Sequence, residues 1–563
     1  MYGSVLWAAL LAAAAAAAGV CAAPEPVVAA PAGPARGSWL RSRRGRPLAA
    51  FRGLRYAAPP VGELRFKPPQ PEPAARDEID ARSDGPACPQ PAEEGYYVDE
   101  DCLRLNVYTP RINSTGSGLP VVVFLHAGGF YSVSGRSDVA GPDYLLDEEL
   151  VLVTANYRLG SLGFLSTGDE FAPGNNGLKD QVLALRWVQR NIAAFGGDPG
   201  RVTLAGYSAG AFSVALHMVS PMSKGLFHRA IAMSGSPISQ IPVPPHQRAL
   251  AERQAALAGC PHRSSREMLA CLRNKTADEI GNSLDGFFEY AYDPVLVWTP
   301  VVEPDCGQER FLAEHPLTSL RAGRAHPVPC VISQTTGEFF WKAFTILGNA
   351  SLSSAMGQDW RRMAAISFQL PAADAAADAL RAHYLGPGSR GPLANDSHTA
   401  DALGRLYSHG VIGFGVHTLV NALAVYSPHP VYYYRFDYIG NNSHYMDPAT
   451  HKPTGVAHHD DLIYLFSINV SFPLIAPSGS QDSRMVDYMT GMWRRFAATG
   501  NPNPTAAPGA AAPSGAAWPP FTRSARRYLN VKATPAVQSN MFEEDLQVWE
   551  NLYNKRNCDF CTY

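Results

Sequence analysis

Apolar and polar positions alternate along this chain in two recurring rhythms. Short apolar, β-branched runs of five to eight residues recur: "LPVVVFLH" at 119–126, "ELVLVTANYR" at 149–158, "RVTLAGY" at 201–207, "HRAIAMSG" at 228–235, "PVPCVISQT" at 327–335 and "PVYYYRFDY" at 430–438. Continuous apolar runs of that length predict strands buried on both faces of a sheet. Between them lie stretches with helical spacing. In "GLKDQVLALRWVQRNIAAF" at 177–195, Val182, Leu185, Val188 and Ile192 share one face, and "GGDPG" ends the element. "AGAFSVALHMVS" at 209–220 predicts a second helix directly after a strand. The order of elements predicts an α/β fold with a mostly parallel sheet flanked by helices. Residues 237–323 and 341–413 are more helical and less regular, and are expected to cap the sheet and wall a pocket. No internal repeat is visible, and a single domain is expected over 38–563.

The N-terminus changes the picture. An apolar run from Val5 to about Val20, ending in small residues, predicts a signal peptide over 1–22, cut after Ala22. The rival, a membrane anchor, is disfavoured because the run is short and leads into a Pro-rich stretch. Residues 23–37, Pro/Ala-rich, read as a flexible leader, and no later segment is expected to reach spanning length. The polar C-terminus argues against a lipid-anchor tail. Export and solubility are therefore expected.

Nine cysteines less Cys21 leave eight, an even number that suits an oxidising compartment. Cys88 with Cys102, and Cys260 with Cys271, flank short loops and read as local staples; Cys306 with Cys330 and Cys558 with Cys561 are weaker pairings. Sequons at Asn113, Asn274, Asn349, Asn395, Asn441 and Asn469 fit a glycosylated surface. A formal net charge of −2 with no long single-sign run offers no footprint for nucleic acid. The basic cluster at 41–46 reads as a solvated loop.

Candidate chemistry centres on Ser208. Gly206-Tyr207-Ser208-Ala209-Gly210 fits G-x-S-x-G, a serine on a sharp strand-to-helix turn. A serine hydroxyl needs a base, and the base needs an orienting acid. "TGVAHHDDLIYLF" at 454–466 offers adjacent histidines, and "ISQTTGEFF" at 332–340 offers Glu338 just past a predicted strand. The chain order Ser208, Glu338, His458 is the order such a fold requires. "FLHAGGFYS" at 124–132 ends a strand with two glycines, whose amides, with that of Ala209, would face a developing oxyanion.

From about Leu54 to Trp549 the sequence resembles the type-B carboxylesterase family of the α/β-hydrolase fold, in particular its insect-type secreted esterases. The resemblance rests on "YAAPPVGELRFKPPQP", "DEDCLRLNVYTP", "NYRLGSLGFLSTGD", "NNGLKDQVLALRWVQRNIAAFGGDP", "GLFHRAIAMSGSP" and "MWRRFAATGNPNP", in order. It implies Ser208 as nucleophile, Glu338 as acid, His458 as base, Gly128, Gly129 and Ala209 as oxyanion donors, and disulfides at Cys88–Cys102 and Cys260–Cys271. It also implies Ser234 as a polar neighbour of the triad, and a small hydrophobic ester as substrate with no cofactor or metal. Three departures stand out: Tyr207 where the family often has Glu, Ala127 where it has Gly, and His459 after the base where it commonly has Gly. Position favours His458 over His459 as base, with His444 and His451 as loop residues. The base must be neutral to act, so the rate is expected to fall in acid. The alternatives are a neuroligin-like protein that has lost catalysis and, among enzymes, a juvenile-hormone-type esterase, which typically has Gln at the place of Tyr207. A cholinesterase is disfavoured, since the loop from Cys88 to Cys102 has Tyr96 and Tyr97 but no Trp.

Overall fold

The structure, a computed structural model, describes residues 24–112, 117–370, 374–386, 391–448, 450–504 and 517–556. The expected signal peptide, the sequon at Asn113, and Cys558 and Cys561 lie outside these residues.

The apolar runs assemble into an eleven-stranded sheet. In chain order its strands are β1 (Ser38–Arg41), β2 (Pro47–Arg55), β3 (Arg104–Thr109), β4 (Leu119–Leu125), β5 (Val151–Ala155), β6 (Gly197–Tyr207), β7 (Arg229–Met233), β8 (Cys330–Thr335), β9 (Val431–Phe436), β10 (Arg527–Val531) and β11 (Ala536–Ser539). Their spatial order is β1-β2-β3-β5-β4-β6-β7-β8-β9-β10-β11. Every pair from β5 to β10 is parallel, and the pairs at both edges are antiparallel. This is the α/β-hydrolase arrangement. The unbroken apolar character of β4 and β5 follows from their place: every residue in both is buried.

Helix α1 (Asn176–Asn191) packs Val182, Leu185 and Val188 on one sheet face with Val121, Val123 and Leu204. It also buries two charges, each met by a partner: Lys179 by Glu303 and Asp180 by Arg158, both at 2.6 Å. Helix α2 (Ala209–His217) follows Ser208. On the opposite face, α3 (Gln481–Thr499) sets Trp493 and Phe496 against Val122, Leu152 and Ile231. A separate apolar cluster around Trp360, Tyr407 and Trp549 binds the cap helices together.

Three expectations are corrected. The stretch 23–37 is no flexible leader beyond its first residues: Val27–Ala30 and Gly33–Arg36 form an antiparallel hairpin. Alternation beneath its Pro/Ala-rich composition turns Val28 and Ala35 into the core, and Asn191 accepts the Ala32 N–H at 2.8 Å. Cys306 and Cys330 are both free thiols; Cys330 opens β8 in the core, where burial pushes it up to about 12, while Cys306 is exposed. A later segment does reach spanning length: the helical run Ser397–Tyr426, whose most apolar window is 89% buried inside the protein, as a core helix. The other two staples form as expected, Cys88–Cys102 and Cys260–Cys271.

Candidate active site

The parallel strands all present their C-terminal ends to one rim. The chain runs from β4 outward to β5, then returns to the other side of β4 as β6. That reversal opens a crevice, and α/β sheets bind ligands at such a crevice.

β6 delivers Ser208 there. Ser208 has φ 53° and ψ −115°, a conformation that a side chain adopts only under about 1–3 kcal/mol of strain. The neighbours enforce it. A Cβ on Gly206 would lie 2.4 Å from the Gly210 carbonyl carbon, and one on Gly210 would lie 2.1 Å from the Leu125 oxygen. A Cβ on Gly235 would lie 2.2 Å from the Ser208 oxygen. Backbone therefore packs on backbone around the turn, with the Ser208 N–H donated to the Met233 carbonyl at 2.8 Å.

The loop after β4 supplies the glycines. Gly128 and Gly129 have φ of 106° and 57°, and a Cβ on Gly128 would sit 2.0 Å from the Ser132 oxygen. Tyr131 and Ser132 both donate their N–H groups to the Gly128 carbonyl at 2.9 Å. That turn leaves the N–H groups of Gly128 and Gly129 without an acceptor among the described residues. Ala209, first residue of α2, has no intrahelical acceptor either. All three residues line one cavity of about 180 Å³ with Ser208 and His458, walled by Phe212, Ile241, Leu296 and Phe339.

β8 leads to Glu338, which is fully buried. Its Oε2 meets the Nδ1 of His458, and its Oε1 accepts the Ser234 hydroxyl at 2.5 Å and the Thr335 N–H at 2.7 Å. Ser234 is thus the polar neighbour its place in the sequence implied. With Nδ1 on Glu338, Nε2 of His458 is left over, with no partner among the described residues. Ser208 and His458 share the cavity, but no hydrogen bond joins Oγ to Nε2 in this state. Such bonds are commonly loose before substrate fills the site. The imidazole is held between Phe339 and Tyr207, with ring centroids 4.4 and 5.0 Å away.

The turn carrying His458 contains residues that sequence reasoning gave no role. Asp460 accepts the N–H of Ala457 at 2.7 Å, the Ser443 hydroxyl at 2.7 Å and the His444 N–H at 2.7 Å, clipping the turn shut. His459 has φ 81°, a left-handed conformation that favours glycine, and donates its N–H to the Tyr207 hydroxyl at 2.7 Å. Two departures from the family pattern therefore touch each other. Burial first, then the neighbouring His458 and His444 side chains, hold His459 well below the usual imidazole range. Asp461 is wholly buried, and burial, then Glu338, pushes its carboxyl well above the usual range. Both residues are driven toward their neutral forms. The repeated acids of "HHDD" were the visible signal for Asp460, but nothing local distinguishes a clipping carboxylate from a surface one.

His444 is more than a loop residue, since its ring packs 5.4 Å from that of His459, whereas His451 is exposed. Of the loop tyrosines, Tyr97 faces solvent, while Tyr96 is half-buried, bonded to Ser134 at 2.9 Å and covered by the Arg136 guanidinium.

Comparison with known proteins places this geometry. The model of the carboxylesterase family matches residues 24–549. Juvenile hormone esterase of Tribolium castaneum is 36% identical over 85% of this chain and 84% of its own length. Esterase FE4 of Myzus persicae is 36% identical over 85% of each chain. A crystal structure of juvenile hormone esterase from Manduca sexta, with OTFP covalently attached, superposes with a TM-score of 0.81 at 29% identity, covering 94% of this chain and all of that one.

Proposed function

This chain belongs to the carboxylesterase family, and on that premise we propose that it cleaves hydrophobic carboxylic esters at Ser208 through an acyl-enzyme. That it is a carboxylic ester hydrolase follows from the family; the assignment of each residue is our own. His458, neutral at Nε2, takes the Ser208 proton as the hydroxyl attacks the ester carbonyl. The oxyanion that forms is met by the N–H groups of Gly128, Gly129 and Ala209, donors already fixed in place, so little reorganisation accompanies the charge. The imidazolium, with its Nδ1–H on Glu338, hands its proton to the departing alcohol. Water, activated by the same nitrogen, attacks the acyl-enzyme and releases the acid. The observation that carries the reading is the buried Glu338–His458 pair, opening onto the cavity that holds Ser208 and the unpaired glycine amides.

Around that site we read a secreted protein, its signal at 1–22, with a single catalytic domain that takes in the 27–36 hairpin. The sequon asparagines Asn274, Asn349, Asn395, Asn441 and Asn469 are all exposed, as glycan acceptors must be. A juvenile-hormone-type ester is the narrower reading of substrate, favoured by the relatives named above. Hydrolysis of 4-nitrophenyl acetate by wild type and Ser208→Ala tests the assignment. The proposal expects the variant to lose about 10⁴-fold or more in kcat. Equal rates in the two proteins would reject it. A parallel assay with juvenile hormone separates the narrow substrate reading from the broad one.

A further inference from the structure

A second chamber of about 660 Å³ lies beyond the catalytic cavity, under the Cys88–Cys102 loop. Phe124, Val139, Leu462, Phe466 and Ile468 give it an apolar floor, and Glu93 and Glu94 stand on its rim. Neither Ser208 nor His458 reaches it. The two spaces share three lining residues: Ser132, Val133 and His459.

Those three are not equivalent. Ser132 and Val133 belong to the glycine loop, and their backbone is fixed by bonds to Gly128 and to the Gln90 side chain at 2.6 Å. His459 comes from a different element, the turn after His458, and lines both spaces. Its ring Nε2 has no hydrogen-bond partner among the described residues, and the ring packs in tilted and edge-on contacts against His458, Tyr207 and His444 at 4.2, 4.8 and 5.4 Å. Its backbone is already in the conformation glycine prefers, and the bond that anchors it runs from its N–H, not its ring, to Tyr207.

The direction of the chemistry gives the wall a meaning. On the reading proposed above, His458 protonates the departing alcohol, so the alcohol portion of the ester lies on the His458 side of Ser208. His459 and Phe339 both pack on the His458 ring, at 4.2 and 4.4 Å, and of the two only His459 also lines the larger chamber. We propose that His459 is a specificity-determining partition that closes the larger chamber to the alcohol portion and restricts the enzyme to esters of short alcohols. On this proposal the acyl portion is taken by Phe212, Ile241 and Leu296, which line the catalytic cavity and not the larger chamber.

The inference rests on the Ser208 esterase reading, and the test separates the two. Kinetics are measured for wild type and His459→Gly on two ester series. One holds acetate constant and lengthens the alcohol from methyl to decyl; the other holds methanol constant and lengthens the acyl chain. Wild type is expected to discriminate against long alcohols. In His459→Gly, the decyl-to-methyl ratio of kcat/KM should rise at least about tenfold, mainly through a lower KM, because added apolar contact is the kind of binding that methylenes supply. The acyl series should keep its order. Val139→Trp, added to His459→Gly to fill the far chamber, should take the gain away. Ser208-dependent turnover with an unchanged alcohol preference, or a gain that survives Val139→Trp, overturns the partition while leaving the esterase reading intact. A wild type that already takes decyl esters as readily as methyl esters overturns it without any variant. Absence of Ser208-dependent turnover in wild type overturns both.

Discussion

The elbow at 206–210 and the turn at 457–461 each present one reacting side chain to the same cavity, and they are held in opposite ways. At the elbow, backbone presses on backbone. Gly206, Gly210 and Gly235 stand where any Cβ would lie within 2.4 Å of another residue's main chain, so sterics alone dictate the residue types. At the histidine turn a residue sits where glycine would be easier, and side chains from elsewhere hold it. The Tyr207 hydroxyl accepts the His459 N–H, Glu338 takes His458 Nδ1, and the Asp460 carboxylate closes the turn on Ala457 and Ser443. A site can thus be rigid through close packing or through polar clips. Only the first kind leaves a compact signature in the sequence.

Breaking the close-packed side should have the largest effect. Gly210→Ala places a methyl 2.1 Å from the Leu125 oxygen, against a backbone with no room to yield. The expected result is a loss of about 3 kcal/mol or more of stability together with activity, read by denaturant unfolding and by ester hydrolysis. A stable, active Gly210→Ala would show that the elbow is less constrained than its contacts imply.

Breaking a polar clip should damage chemistry before fold. Glu338→Gln keeps the size of the side chain but removes the charge that faces His458. We expect kcat to fall roughly 10²–10⁴-fold with a melting temperature within a few degrees of wild type. Asp460→Asn should do less to the rate, about tenfold, and more to stability, on the order of 1–3 kcal/mol, because buried donors on Ala457 and Ser443 lose their charged acceptor. If Asp460→Asn leaves both untouched, the turn is held by packing, and the contrast with the elbow disappears.

The pH dependence of stability lies outside both regions. Burial lowers His126 to about 4, His217 to about 3 and His409 to about 4. All three are neutral in the fold, while the unfolded chain protonates them near 6.5. Between about 6.5 and 4 the unfolded state therefore binds more protons, so stability falls as pH falls through that window, by up to about 1.4 kcal/mol per pH step of one for each group. Thermal unfolding at steps from pH 7.5 to 4.5 should show a melting temperature that is flat above 6.5 and declines below it. His217→Gln, which keeps a side-chain amide near Ser223 and Gln181, should soften the decline.

The sheet was largely legible because its buried strands are uninterrupted apolar runs and its helices carry a clean period. The hairpin at 27–36 was not, since alanine and proline hide the alternation that buries Val28 and Ala35. Ser397–Tyr426 was missed as a long apolar run because sequence reading broke it at Gly413, and the structure carries the helix through with a wide turn at His409–Gly413. Within the site, G-x-S-x-G and the paired glycines could be read directly, because local sterics fix them. Glu338 and His458 required the fold to bring them together from more than a hundred residues apart. The contact between Tyr207 and His459 could not be read at all: each looked like an isolated departure, and only the structure shows that one anchors the other.

The proposed chemistry stands or falls on Ser208 being the acylated residue, activated by His458 and Glu338. The most direct measurement treats the intact protein with diethyl fluorophosphate and maps the adduct by peptide mass, alongside Ser208→Ala and Glu338→Gln. We predict one phosphoryl group per chain, on the peptide containing Ser208, formed in step with loss of esterase activity, absent in Ser208→Ala and slow to form in Glu338→Gln. Inactivation with the adduct on another residue, or full turnover surviving in Ser208→Ala, would contradict it.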